Sequence, residues 1–372
     1  MYKSQVLGIV LILIVVLMIL LVFVYPRYTS ISRSSKPSNA YAFLISNNSN
    51  ISMMNLSNDA IVKNFSTHVS AVPIATAVSP DGTEIAISYQ KNYTSLIYTK
   101  NGSVKTVGIP QGLLYFFSLQ DLTFSANGKL LYIANIQNPY GMLAVLNISS
   151  GVSSNITLSY SVYGIQMAYD ATVISVAPNG KFAYVEEPQG LILKMNTSNN
   201  KVIGHVYING GPTSISGSET TINDIVFSPN GTYAYVMNQD YSNNGYIAVV
   251  NTSSDSVINN IEVAYNPGYM SISKDGKIGY LTYEKSSFVN TLSSNYISVI
   301  NLSAMTLLKT ITLSEAPTSS AIYNNILYVA AATSSGISSV YQINATSYSL
   351  INVHEIERGA IIDSILIANA TS

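Results

Sequence analysis

The chain has 372 residues, a net charge of −1, only 9% charged residues, and neither cysteine nor tryptophan. Without cysteine there can be no disulfide, iron–sulfur cluster, thiolate nucleophile or covalent haem attachment. No basic stripe is present, which argues against nucleic acid as a partner, and a surface of Asn, Ser, Thr and 28 Tyr offers few groups to titrate and suits a fold facing acid.

The first element is Val6 to Val24, 19 residues without a charge, followed by Tyr25-Pro26. At about 1.5 Å per helical residue such a run just spans a hydrocarbon core of roughly 30 Å. A cleaved signal peptide has a shorter apolar run and a small-residue cleavage site, and YPRYTSISR offers none. Residues 1–26 are therefore predicted to be an uncleaved transmembrane signal anchor, with the membrane as partner through residues 6–24. A rival reading is a prepilin-like leader, because Lys3-Ser4-Gln5 precedes the apolar run. Lys3 lies on one side of the span and Arg27, Arg33 and Lys36 on the other, so the positive-inside rule does not place the C-terminal part outside. Residues 27–39, RYTSISRSSKPSN, read as a flexible Ser-rich tether.

From residue 40 onward the hydrophobic period is two, and no stretch has a helical period. Residues 222–263 show the unit. An apolar strand ends at Pro229-Asn230-Gly231, and Tyr233 to Met237 follows. Gly245 precedes Tyr246 to Val250, and Asn251 to Ser254 turns the chain into Val257 to Val263. Four short strands bury too little to stand alone, so flanking copies are required. The first turn recurs at Asp81, Asn127, Asn179, Asn230 and Asp275, and more weakly at Asn325 and Asn369. After the first six turns come EIAISY, LLYIANI, FAYVEE, YAYVMN, IGYLTY and ILYVAAA. A repeat of roughly 40 to 50 residues with four strands per copy predicts propeller blades.

The segments SPNGTYAYVMN (228–238) with IAVVNTSSDSVINNI (247–261), and ISKDGKIGY (272–280) with ISVINLSAMTLLKTI (297–311), resemble the YVTN family of β-propeller repeats, found in archaeal and bacterial surface proteins. The resemblance covers about residues 40–372 and implies the fold and a cell-surface setting, not an activity.

The propeller starts in mid-blade. YAFLISN (41–47) matches a second strand, ISMMNL (51–56) a third and AIVKNF (60–65) a fourth. IIDSILIAN (361–369) fits the missing first strand, so the C-terminal strand is predicted to pair with the N-terminal ones and close the ring. The expected fold is an all-β, seven-bladed propeller over residues 40–372. Its blades are 361–372 with 40–66, then 73–109, 119–158, 172–208, 222–263, 267–313 and 317–356.

Asn-x-Ser/Thr triplets occur 14 times, roughly twice the number expected by chance for this composition. Seven of them, at Asn55, Asn101, Asn147, Asn196, Asn251, Asn301 and Asn344, fall one per blade in the turn between the third and fourth strands. Turn chemistry alone accounts for Asn capping a turn with help from Ser or Thr. The resembled repeat has Asp there, and a turn does not require Asn in all seven blades. These positions are read as N-glycosylation acceptors, which places the propeller outside the cytoplasm in spite of the charge rule.

Three further groups of residues bear on function. On the face opposite the triplets, the segments 111–120, 138–141, 160–169 and 240–246 are long and aromatic. Tyr115, Phe116, Phe117, Tyr140, Tyr160, Tyr163 and Tyr169 are candidates there for a patch binding a protein or a glycan, the bland alternative being a local minor core. Six residues before the turn Asn or Asp, blades 1, 3 and 5 carry Asp363, Asp121 and Asp224. In one register near the channel mouth, these could hold a cation such as Ca²⁺, or simply cap the loops leading into the first strands. Catalysis has little support: His68, His205 and His354 fall on or beside outer strands of different blades and cannot meet. Glu186 and Glu187 are strand neighbours pointing to opposite faces, read as one solvated acid and one facing the channel rim or a loop. The expectation is a membrane-anchored extracytoplasmic propeller that binds a partner or builds an envelope, with no cofactor and no chemistry. The alternative is a cation-dependent, lactonase-like propeller hydrolase using the three aspartates.

Overall fold

The computed structural model describes residues 40–369 apart from 90, 110–117, 137–141, 159, 163–164, 168–170, 188–189, 209–219, 241, 243, 284–293, 334 and 359–360. Among the described residues no helix is long and apolar enough to cross a membrane; the expected anchor, residues 6–24, lies outside them.

The chain folds into seven four-stranded antiparallel sheets. Blade 1 orders its strands, from the axis outward, as Ile362–Asn369, Ala40–Ser46, Asn50–Asn55 and Ile61–Ser66. Its innermost strand is thus the last of the chain: Ala42 pairs with Ile367, Phe43 with Leu366 and Leu44 with Ile365. Blades 2 to 7 run in sequence from inner strands Pro73–Val78, Ser118–Phe124, Ile174–Val176, Thr221–Phe227, Pro267–Ile272 and Ala316–Tyr323 to outer strands Val104–Gly108, Ser153–Thr157, Lys201–Tyr207, Ser256–Val263, Thr306–Thr312 and Leu350–Arg358. Closure by the C-terminal strand covers the inner edge of Ala40–Ser46, which would otherwise lie open. One short hairpin stands outside the blades: Tyr160–Val162 pairs with Ile165–Met167, in the segment read from sequence as a loop.

Seven apolar clusters fill the seven gaps between neighbouring blades. The gap between blades 7 and 1 holds Leu44, Met54, Tyr328, Val340, Ile362 and Ile365. That between blades 1 and 2 holds Phe43, Ile45, Ile51, Ile85, Ile87 and Ala368. Each second strand therefore has apolar neighbours on both faces, and Phe182–Glu187 is buried along its whole length. Sheets of one chain that pack face to face in this way need their Cβ alternation to be apolar on both sides, which is why EIAISY, FAYVEE and ILYVAAA lack a polar stripe.

The recurrent turn explains itself. Asp81 Oδ1 accepts from Ser79 Oγ (2.7 Å) and Thr83 N (3.1 Å), while Ser79 Oγ accepts Glu84 N at 2.9 Å. The same pattern is built by Ser125 with Asn127, Ser228 with Asn230 and Ser273 with Asp275. The glycine that follows must turn left-handed, with φ of 66 to 73° at Gly82, Gly128, Gly180, Gly231 and Gly276. These turns nest round the ring: a Cβ on Gly231 or Gly276 would meet Pro178 or Pro229 of the preceding blade at 3.5 and 3.2 Å.

In blades 3, 4 and 6 the tyrosine of the second strand joins the blade to the next. Tyr132, Tyr184, Tyr235, Tyr280 and Tyr328 are at most 2% exposed. Tyr280 donates to Ala345 O at 2.7 Å, Tyr132 to Thr197 O at 3.4 Å and Tyr184 to Asp255 Oδ1 at 2.7 Å, each acceptor lying in the outer turn of the following blade. A buried phenol fills the gap between sheets and still finds an acceptor for its hydroxyl.

Candidate functional site

The inner strands bulge at the end where the connections between blades arrive. The pairing skips a residue between Pro73 and Ala75, Leu119 and Asp121, Ile222 and Asp224, and Pro317 and Ser319. In blade 1 the skipped residue is Asp363, since Ser364 pairs with Ile45 and Ile362 with Ser46. A bulge re-aims the side chains beside it. Here it turns them toward a cavity of about 580 Å³ that Asp121, Asp224 and Asp363 line together with Tyr269, Thr76 and Ser320.

The three predicted aspartates therefore share one cavity, but their registers differ. Asp121 and Asp224 directly follow the bulged residue, whereas Asp363 is the bulged residue. Counting back from Asn369 slips by one because blade 1 has no covalent turn between its first and second strands. Asp121 straps two blades: Oδ1 accepts Leu122 N at 2.7 Å, and Oδ2 accepts Ile174 N of blade 4 at 2.9 Å. Burial pushes its carboxyl up to about 6, against the pull of those two amides. Asp224 Oδ1 accepts Ile225 N at 2.8 Å. Among the described residues no three His, Asp or Glu side chains are gathered closely enough to hold a metal ion. Hydroxyls join the inner strands round the same opening: Thr76 Oγ1 lies 2.6 Å from Ser364 Oγ, Ser271 Oγ donates to Ser320 O at 2.8 Å, and Thr318 Oγ1 donates to Ile362 O at 2.7 Å.

Of the aromatic candidates, Tyr115, Phe116, Phe117, Tyr140, Tyr163 and Tyr169 lie outside the described residues. Tyr160 opens the short hairpin. His205 and His354 lie on the outer strands of blades 4 and 7, and His68 follows that of blade 1. His354 Nε2 sits 3.4 Å from Asp59 Oδ2, a contact between the last blade and the first.

The glutamate pair departs from expectation. Glu186 is 5% exposed and Glu187 fully buried, so neither is solvated. Strand alternation does send them to opposite faces, but in a propeller both faces of a second strand are covered. Burial pushes the Glu186 carboxyl up to about 8, and its Oε2 has no hydrogen-bond partner.

A second charged group went unnoticed in the sequence. Lys194 Nζ donates to Thr252 O and to both oxygens of Asp255 at 2.8–3.0 Å, and lies 4.5 Å from the centre of the Phe182 ring. Burial, and then the hydrogen bond to Asp255, raise the Tyr184 pKa. The available signal was a carboxylate at the left-handed position of the outer turn, where Asp255 has φ 49°. This clasp joins blades 4 and 5 on the face away from the cavity and is structural.

No family model and no curated protein match the chain. Solved structures do. The dihydro-haem d1 dehydrogenase NirN, solved in complex with DHE, is similar at 12% identity and a TM-score of 0.59, covering 92% of this chain and 78% of that one. Kuenenia stuttgartiensis hydrazine synthase is similar at 13% identity and a TM-score of 0.58, covering 90% and 99%. At such identities the likeness concerns the fold alone.

Proposed function

We propose that the protein is a membrane-anchored, extracytoplasmic β-propeller of the YVTN-repeat kind, acting as a surface binding or envelope-structural module without chemistry of its own. The observation that carries this reading is the channel mouth. It is a cavity of mixed apolar and polar lining, bordered by three carboxylates, the exposed ring of Tyr269 and a set of hydroxyls, with all three histidines placed on or beside outer strands. Such a mouth can receive a polar or cationic group of a partner, but it offers no imidazole base to activate a nucleophile. The alternative, a cation-dependent hydrolase, needs carboxylate oxygens as ligands, and both oxygens of Asp121 already accept backbone amides.

In the cells that make it, the full-length protein is expected to stay in the membrane fraction through alkaline carbonate extraction. Its propeller lysines should react with a membrane-impermeant amine reagent before lysis. Release by carbonate, or labelling only after lysis, would contradict the reading. Native mass spectrometry separates the two functions: a retained divalent ion that Asp224→Ala removes would favour the hydrolase.

A further inference from the structure

The fold sets seven of the 14 Asn-x-Ser/Thr triplets apart from the others. Six of the seven outer-turn asparagines, Asn55, Asn147, Asn196, Asn251, Asn301 and Asn344, are the last residue of a third strand. In blade 2 that place belongs to Tyr98, whose carbonyl accepts Gly102 N as Asn147 accepts Gly151 N, and Asn101 sits three residues further into the turn. In all seven the amide oxygen faces its own turn. Asn55 accepts Ser57 N at 2.8 Å, Asn101 accepts Ser103 N at 2.8 Å, Asn301 accepts Ala304 N at 2.9 Å, and Asn344 accepts Thr346 N at 2.9 Å. No Nδ2 atom of the seven donates a hydrogen bond within the described residues, and each asparagine is half-buried or exposed. By contrast, Asn50, Asn64, Asn92 and Asn155 lie within strands, and the Oδ1 atom of Asn155 is buried without a partner.

Turn geometry does not demand this choice, and the inner turns are the internal control. They build the same side-chain-to-backbone bond with Asp81 and Asp275 as with Asn127, Asn179 and Asn230, and of these asparagines only Asn230 heads a triplet. The outer turns use Asn in every blade and keep a hydroxyl two residues on. In blades 1, 3, 4 and 5 that hydroxyl donates to Oδ1 at 2.7–2.8 Å. In blades 2 and 6 the Ser103 and Ser303 hydroxyls do not serve the asparagine, and in blade 7 the Thr346 hydroxyl goes to Asn325. A hydroxyl retained where the turn does not use it, beside an amide nitrogen left free, marks an acceptor for transfer to nitrogen.

We infer that these seven asparagines form a ring of N-glycan acceptors over one face of the propeller, leaving the channel-mouth face as the one open to a partner. The inference rests on the extracytoplasmic placement proposed above. The donor is a polyprenyl-phosphate-linked sugar. A bond forms between Nδ2 and the anomeric carbon, the carbon–oxygen bond to phosphate breaks, and the phosphate leaves with the electron pair. One amide proton passes to a base of the transferase.

Glycopeptide mapping of full-length protein from its native cells is expected to find sugar on most of the seven. Ser303→Ala should abolish modification of Asn301 while leaving the melting temperature unchanged, because the turn does not use that hydroxyl. Bare asparagine at most of the seven, or sugar confined to Asn50, Asn64, Asn92 and Asn155, would overturn the inference. If surface labelling of the same cells shows the propeller outside, only the ring fails; if the propeller is inside, the placement fails with it.

Discussion

A chain ending at residue 360 is expected to show no cooperative unfolding transition. The missing strand carries Ile362, Ile365 and Ala368, all at most 2% exposed, and it divides them between the gaps on either side of blade 1. Deleting a buried isoleucine to alanine costs about 2–5 kcal/mol, and two such losses alone approach the roughly 5–15 kcal/mol that holds a whole domain folded. Truncation does more than that. It strips the hydrogen-bond partners from the inner edge of Ala40–Ser46, exposes Phe43 and Leu44 there, and removes the nearer of the two acceptors of the Thr318 hydroxyl. Circular dichroism through a urea titration reads the outcome. A truncated chain that still unfolded in one sharp step near the full-length midpoint would show that the strand is dispensable.

The second large effect is on pH. Glu186 and Asp121 have folded-state values raised by burial, to about 8 and about 6, above ordinary values of 4.5 and 3.8. A raised value means that the folded state holds the proton more tightly than the unfolded one. The stability tied to these protons is complete below about pH 4 and is lost as pH rises, through about 6 for Asp121 and about 8 for Glu186. Each group in its window lowers stability by up to about 1.4 kcal/mol per pH unit. The turn carboxylates Asp81 and Asp275 act in the opposite sense. Hydrogen bonds from Ser79 and Ser273 hold them below the ordinary value, and their contribution is lost as pH falls below it. Maximum stability is therefore expected on the acid side of neutrality. Glu186→Gln should leave the melting temperature near pH 5 almost unchanged and raise it by several degrees at pH 8. Equal melting temperatures for the two proteins at pH 8 would show that Glu186 is not held protonated.

The repeat was legible because its turn is written in residues with one job each. Ser228, Asn230 and Gly231 supply an acceptor, an Asx bond and a left-handed residue within four adjacent letters. Four places after the turn glycine, Tyr132, Tyr184, Tyr235 and Tyr280 mark the second strand, because a phenol fills the gap and, at Tyr184 and Tyr280, reaches the next blade. Ring closure was legible from a strand missing at one end and spare at the other. The site was less so. Strand alternation assigns Glu186 and Glu187 to two faces, and says nothing about both faces being covered. The bulge that turns Asp121 and Asp224 toward the mouth leaves no mark in the letters, and blade 1 lacks the turn from which Asp363 was counted. The clasp of Lys194, Asp255 and Tyr184 joins residues 61 and 71 positions apart, and only the packed ring brings them together.

Closure of the ring by the last strand fixes both faces, the channel mouth and the circle of acceptor asparagines. It can be read directly because the native chain has no cysteine. Ala42 and Ile367 are partners across the closing pair, and residues directly opposite in an antiparallel pair bring their Cα atoms to about 4.5–5.5 Å, within reach of a disulfide. The double variant Ala42→Cys, Ile367→Cys should oxidise to an intramolecular crosslink that encloses roughly 325 residues and raises stability by up to about 5 kcal/mol. Thiols that stay free under oxidant, or that link only between molecules, would place the last strand elsewhere and contradict the account.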